Sequence, residues 1–423
     1  MKFLFLRSAV LSCVLTLGLA PLAQAGAIAN QSAVQHGLSY LQTQQASDGH
    51  INGFEGVSPW AALAFSSNGV DLHAVKTVGG SDLRTYSAAN PPGASSHATD
   101  WEKAILAITA DHQNPYDFGD VNYVSHLRSF ESTGQIGSAT AINDDIFGVL
   151  ALIAARDVSS DSVLTGALSF IMSHQLSTGG FNSDTTATTA DVDDTAAAVM
   201  ALQAAEKYGL GGATIANSVT SAMTYISTMK NSDGGYPYDN SYGALSDVST
   251  TSWVLMAFSS TGEFETVASA AAQAYILGTQ QPDGSFPYQL PLFDPAGTGD
   301  TFNSSYAIPA LAGVTWPESV YSGPLPGVGE SDVTPTPGPT VAPFQGQGLP
   351  SPSPTPQVGA VLGASTSSAS PTPPPASGNV LGASTLPMVG TLSNELLLAF
   401  ALSIAILSGV AVRLRQMRAR HQR

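Results

Sequence analysis

Block after block of this chain spaces its apolar residues at three and four, the pattern of helices that bury one face. Six blocks share a core triplet: an apolar residue, then Ala, then Phe, Leu or Ile. It occurs in ALAF around Ala64, ILAI around Ala107, VLAL around Ala151, VMAL around Ala201, LMAF around Ala257 and IPAL around Ala310. The alanines are 43, 44, 50, 56 and 53 residues apart. A second layout precedes most of them: YLQTQQASDG from Tyr40, FIMSHQLSTGG from Phe170, YISTMKNSDGG from Tyr225 and YILGTQQPDGS from Tyr275. An aromatic opens each, Gln or Lys follows five residues later, and a Gly turn ends it as glycine ends helices. HLRSFESTGQIG from His126 is a degenerate copy.

Each unit therefore predicts an outer helix, a Gly-rich loop and an inner helix. The outer helices are placed near 31–46, 80–90, 121–131, 160–176, 214–230 and 264–281. The inner ones are placed near 58–68, 99–111, 143–156, 192–207, 249–261 and 303–314. Six helical hairpins form either an open solenoid or a closed ring. A small residue at the same depth in all six lets the inner helices converge on one axis, which a solenoid does not need. The expected fold is an all-α (α/α)6 toroid, one domain over residues 26–318 and long enough for a full core.

The two ends read differently. Residues 1–25 have a basic start, an apolar run and Ala23-Gln24-Ala25, the parts of a secretory signal. The single cysteine, Cys13, lies there, so the mature chain would have no disulfide and no thiolate chemistry. Residues 319–390 are rich in Pro, Ser and Thr and predict a disordered stalk. A transmembrane helix is expected within 391–412, where Leu396 to Val412 is apolar or small, followed by a basic cytoplasmic tail at 413–423. LPMVG, Leu386 to Gly390, followed by the apolar run and basic tail, is similar to a sortase sorting signal, with Val389 in the threonine position. The protein is thus expected at the cell surface, held by the membrane helix or handed to a sortase.

Charge narrows the partners. Between signal and tail, seven Lys and Arg face all 31 Asp and Glu, so nucleic acid is not an expected partner. The acids also gather where inner helices begin. Counting back seven residues from each shared alanine reaches Val57, Asp100, Asp144, Asp194, Thr250 and Asn303, five of them good helix caps. That count explains Asp194 as a cap and leaves Asp191 and Asp193 without a structural reason. In a ring all inner helices run the same way, so Asp100, Asp144, Asp145, Asp191, Asp193 and Asp194 would share one mouth, with Asp247 a further candidate. Like charges held together raise the proton affinity of one of them.

The Gln-x-x-Asp-Gly-Gly-aromatic layout followed by an inner helix resembles the repeats of terpenoid cyclases and protein prenyltransferases, across all six units. DVDDTA from Asp191 is similar to the acid motif of squalene–hopene cyclases. That resemblance implies the toroid and, in a class II cyclase, Asp193 as the proton donor supported by Asp191 and Asp194. Three features point away from cyclisation. The resemblance calls for a histidine in a later repeat, yet none lies between His174 and His421; aromatic residues are only 8%; and a single toroid is present where such cyclases have two helical domains. The same toroid also serves as a carrier of bulky ligands. The leading expectation is accordingly a domain that binds a bulky or hydrophobic ligand, or a partner's peptide, with no cofactor and no metal. Its candidate contacts are Asp100, Asp144 and Asp145 at the mouth and Trp60, Trp101, Phe147, Trp253 and Tyr306 on inner helices, where aromatics ordinarily serve as core.

Overall fold

The computed structural model describes residues 30–53, 56–94, 96–157, 162–210, 212–239, 244–290 and 299–326. The expected signal, the stalk beyond residue 326 with LPMVG, the membrane helix and the basic tail lie outside these residues. Among the described residues no helix is long and apolar enough to cross a membrane.

Among the described residues, twelve helices follow the expected order. The outer set is α1 (30–43), α3 (Leu83–Ala89), α5 (Tyr123–Arg128), α7 (Ser162–Ser173), α9 (Ala213–Thr228) and α11 (Val267–Thr279). The inner set is α2 (Val57–Ser66), α4 (Ala98–Ala110), α6 (Asn143–Ala154), α8 (Val192–Lys207), α10 (Val248–Thr261) and α12 (Thr301–Leu311). Each inner helix packs on the next, and α12 packs back on α2, so the ring is closed. The six repeated alanines are buried, as convergence on one axis requires. The degenerate copy departs from expectation. Helix α5 stops at Arg128, and a two-stranded hairpin, β1 (Glu131–Ser132) and β2 (Gln135–Ile136), replaces its last turn. Thr133 and Gly134 turn that hairpin at φ 53° and 83°, the left-handed pair that tight hairpins favour.

The repeated glutamine explains the repeat. Gln175 Nε2 donates to Gly179 O in its own turn (2.7 Å) and to Ser218 O in the next outer helix (2.9 Å). Gln45 donates to Gly49 O in its own turn and to Val75 O in the loop before α3. Gln280 donates to Gly284 O (2.9 Å) and to Ala33 O on α1 (2.8 Å), joining the last repeat to the first. The turn glycines are required by close approach. At Gly284, φ is +91° and an added Cβ would run into the His36 backbone carbonyl.

The loops after these turns also lock neighbouring repeats. Val192 N donates to Tyr238 O and Val248 N to Tyr288 O, so the loop of one repeat lies over the inner-helix N-terminus of the one before. After α12, residues 312–326 cross the opposite end of the barrel.

Gly284→Ala is expected to destabilise the chain well beyond Gly69→Ala. Both glycines have positive φ, which alone costs about 1–2 kcal/mol for alanine, but Gly69 has open space around it. Urea midpoints of the two variants test this; equal losses would show that the Gly284–His36 contact contributes nothing.

Candidate functional site

The acids converge where the inner helices begin. Asp191, not Asp194, caps α8: it is extended (φ −119°, ψ 166°) and its side chain accepts from Asp194 N at 2.8 Å. Asp247 caps α10 and Asp300 caps α12 in the same way. Asp194, Thr250 and Asn303 therefore sit one turn inside their helices. The shift has a local cause: a bridge pairs Phe181 with Asp191, Tyr236 with Asp247 and Phe286 with Asp300, so each chain arrives extended at the earlier acid. The other three counted positions, Asp100, Asp144 and Val57, also fall inside their helices. His97 takes the N-cap of α4, with Asp100 closing a capping box by accepting from His97 N; Ile142 and Gly56 precede α6 and α2.

Asp194 is buried and accepts from Ser183 N at 2.6 Å. Asp191 lies against it, and burial followed by the Asp194 charge holds the Asp191 proton affinity well above the usual range. Asp193 points the other way, toward α10. Burial and the Asp247 charge raise its affinity strongly, and the Thr250 hydroxyl offsets part of that. Asp247 itself is pushed up to about 7, chiefly by burial. Asp191 Oδ2 and Asp193 Oδ1 are enclosed without a hydrogen-bond partner.

Three phenols surround this group. Burial and the charges of Asp191, Asp194 and Asp193 raise the Tyr238 affinity. Asp247 first, then burial and Asp193, raise that of Tyr288. Tyr306 is buried, feels Asp193, and its hydroxyl has no partner. Neither Tyr238 nor Tyr288 was reached by the repeat analysis, although both follow a visible aromatic-Pro pair, Tyr236-Pro237 and Phe286-Pro287.

The family model for the prenyltransferase alpha-alpha toroid domain matches residues 96–244 and, overlapping, 146–311. The chain belongs to this family. The toroid's fold is similar to a glycosyl hydrolase family 88 protein from Bacteroides vulgatus at 9% identity, over 68% of this chain and 98% of that one, with a TM-score of 0.51. A type II terpene cyclase from Scytonema, solved with geranylgeranyl dihydroxybenzoate, aligns at 13% identity over 69% and 98%, with a TM-score of 0.49. No curated protein matches the sequence.

A second acid group lies between α4 and α6 of the toroid. Glu102 is fully buried, neither of its oxygens has a partner, and burial with the charges of Asp144, Asp145 and Asp100 holds its proton tightly. Asp145 accepts from Ile136 N and Asp144 from Ser138 N; burial pushes them to about 8 and about 6. Asp100 pairs with Lys103 at 2.8 Å. Glu102 escaped the sequence reading because it lies inside the helix, beyond the rim where caps were counted.

The aromatic candidates divide. Trp60, Phe147, Trp253 and Tyr306 meet on the axis with Trp316, at ring separations from 4.7 to 6.4 Å. All five are buried and fill the barrel axis as core. Trp101 does not join them. Its ring stacks on His126 at 4.1 Å and packs against Tyr123, in the contact between α4 and α5.

Two outcomes follow. Asp191→Ala should cost about 1–2 kcal/mol by loss of the cap, while Asp193→Asn, which removes an acid and no cap, should leave stability unchanged or raised; equal losses in thermal melts would contradict this division. The acids with raised affinity bind protons in the folded chain that the unfolded chain has released above pH about 4. Their contribution to stability is therefore fully present at or below that pH and is lost as pH rises toward about 8. Urea midpoints should drop across this window, and Asp145→Asn should flatten the drop; a midpoint that rises with pH would contradict the assignment.

Proposed function

We propose that this toroid is a binding head displayed outside the cell, and that it takes its ligand at the acidic mouth of the inner helices. One observation carries the reading: carboxyl and phenol groups with enclosed, partnerless atoms converge at the mouth, above an axis already filled by aromatic rings. Groups that keep their protons both donate and accept hydrogen bonds. They suit a bulky ligand rich in hydroxyls better than a hydrophobic one. The export signal and the stalk with its anchor support display at the surface.

The test is titration of soluble oligosaccharides against the wild type, Asp193→Asn and Tyr288→Phe. Tyr288→Phe removes one donor and should weaken binding roughly five- to tenfold, the worth of about 1–1.5 kcal/mol, while Asp193→Asn, whose amide still donates but cannot lose its proton, should flatten the pH dependence. Binding by the wild type should also fade as pH rises and the mouth loses protons. Binding that strengthens with pH would instead identify a cationic ligand, and variants that bind like wild type would remove the mouth from the site.

A second reading, a class II-type cyclase, is favoured by one observation: Asp193 holds its proton beside Tyr306, which belongs to the axial aromatic group. Incubation with squalene, oxidosqualene and geranylgeranyl diphosphate, followed by mass spectrometry, decides it. A cyclised product that disappears in Asp193→Asn would establish cyclisation over binding.

A further inference from the structure

The outer wall of the ring is thin beside α2 and α4. Helix α3 has seven residues, where α7, α9 and α11 have 12, 16 and 13. Its sequence stops it. Asn90-Pro91-Pro92-Gly93 follows Ala89, and a proline has no N–H to donate and disfavours helix in the residue before it. The shortfall leaves a cleft of about 300 Å³ between α3 and the inner pair, at the small end of the range for ligand sites. One stripe of α4 runs along it, from Asp100 and Lys103 through Ala104, Ala107 and Ile108 to Asp111. At 1.5 Å per residue that stripe is about 16 Å long.

The middle of the cleft is apolar: Ala104, Ala107 and Ile108 line it together with Ala62 of α2, Leu72 and Phe118. Its two ends carry ion pairs, and they differ. At one end Arg84 is saturated. Its guanidinium donates twice to Asp111 (2.5 and 2.7 Å) and once to Asp71 (2.5 Å), so two carboxylates face one cation. At the other end Lys103 has one carboxylate, Asp100 at 2.8 Å, and Asp100 also accepts from His97 N. Lys103 lies against the start of α2: its Nζ is 3.2 Å from where a Cβ on Gly56 would stand. That start differs from those of α8, α10 and α12. Gly56 offers no side-chain cap, and α2 has no acid in its first turn. The amine and the positive end of the α2 dipole therefore add at this end of the cleft.

We propose that this cleft binds a small amphipathic carboxylate, its head between Lys103 and the α2 N-terminus and its apolar body along Ala104, Ala107 and Ile108. The charge of the head follows from the unequal ends. Arg84 already faces two carboxylates, whereas Lys103 faces one and has further N–H groups to give a second. The body follows from the apolar stretch, which offers hydroxyl groups no partner. The cleft lies between the two helical layers and uses none of Asp193, Asp247 or Tyr288, so it and the binding reading of the acidic mouth stand or fall separately.

Equilibrium dialysis of labelled octanoate against the full chain tests the proposal, with octylamine and octanol as the cationic and neutral matches. The wild type should hold octanoate roughly tenfold more tightly than either, and Lys103→Gln should weaken octanoate by about the same factor, that of a hydrogen bond to a charged group. Asp100→Asn should tighten octanoate about two- to fivefold, because it frees the amine from a competing carboxylate near the surface. Its amide oxygen still accepts from His97 N, so the start of α4 is kept. Ala104→Phe fills the apolar stretch and should abolish binding. Opposite signs at Lys103 and Asp100 are not expected of a pair that only holds the fold. Octanol bound as tightly as octanoate, a wild type that ignores octanoate, or weaker binding in both Lys103→Gln and Asp100→Asn would overturn the proposal. The two polar variants decide if Ala104→Phe does not fold.

Discussion

Closure of the ring is the constraint on which everything else rests. Once Gln280 is bonded to Ala33 and α12 packs on α2, six inner helices must run parallel around one axis. Their N-termini then share one mouth, and each must satisfy its free N–H groups there. Carboxylates are the strongest answer, since they accept hydrogen bonds and oppose the helix dipole. Asp191, Asp247 and Asp300 serve that purpose. The packing that closes the ring also excludes water from the acids behind the caps. Asp193, Asp145 and Glu102 then have little solvent to stabilise charge, and their proton affinity rises. The candidate site is thus a by-product of the architecture, specialised by the acids that no cap requires.

Much of the fold was legible because it is written in spacing. A buried face repeats every turn, a ring needs a small residue at one depth, and a glycine is needed where a turn meets the next helix backbone. Ala64 through Ala310, Gly179 and Gly284 report those needs directly. The glutamines were visible as a motif, but their role was not, because Gln175 bonds across a repeat boundary that a linear reading does not draw. The site was only partly legible. Counting seven residues back from the alanines put the caps one turn late: in α8, α10 and α12 the capping aspartate stands ten residues before the alanine, where the preceding bridge delivers the chain extended. Tyr238 and Tyr288 lie in loops and arrive at the mouth by backbone bonds from the neighbouring repeat. Trp316 follows the last periodic helix, where no pattern indicates which way a side chain turns.

The filled axis changes what family membership means for this chain. A toroid supplies two places for chemistry, the mouth and the interior, and here aromatic residues occupy the interior while acids occupy the mouth. Tyr306 joins the two levels, packed against Trp60 and Trp253 below and facing Asp193 above. Function in this protein depends on which level the ligand reaches, because acids cluster at the upper one while the lower one is chiefly aromatic.

That account rests on neutral acids at the mouth. Infrared difference spectra of the wild type and Asp193→Asn at neutral pH measure them directly, through the carbonyl stretch of a protonated carboxyl group. The structure predicts such a band in the wild type, weakened by the substitution and lost as the solution is made alkaline. A wild-type spectrum at neutral pH with carboxylate bands alone would contradict the burial and crowding from which the mouth's chemistry has been derived.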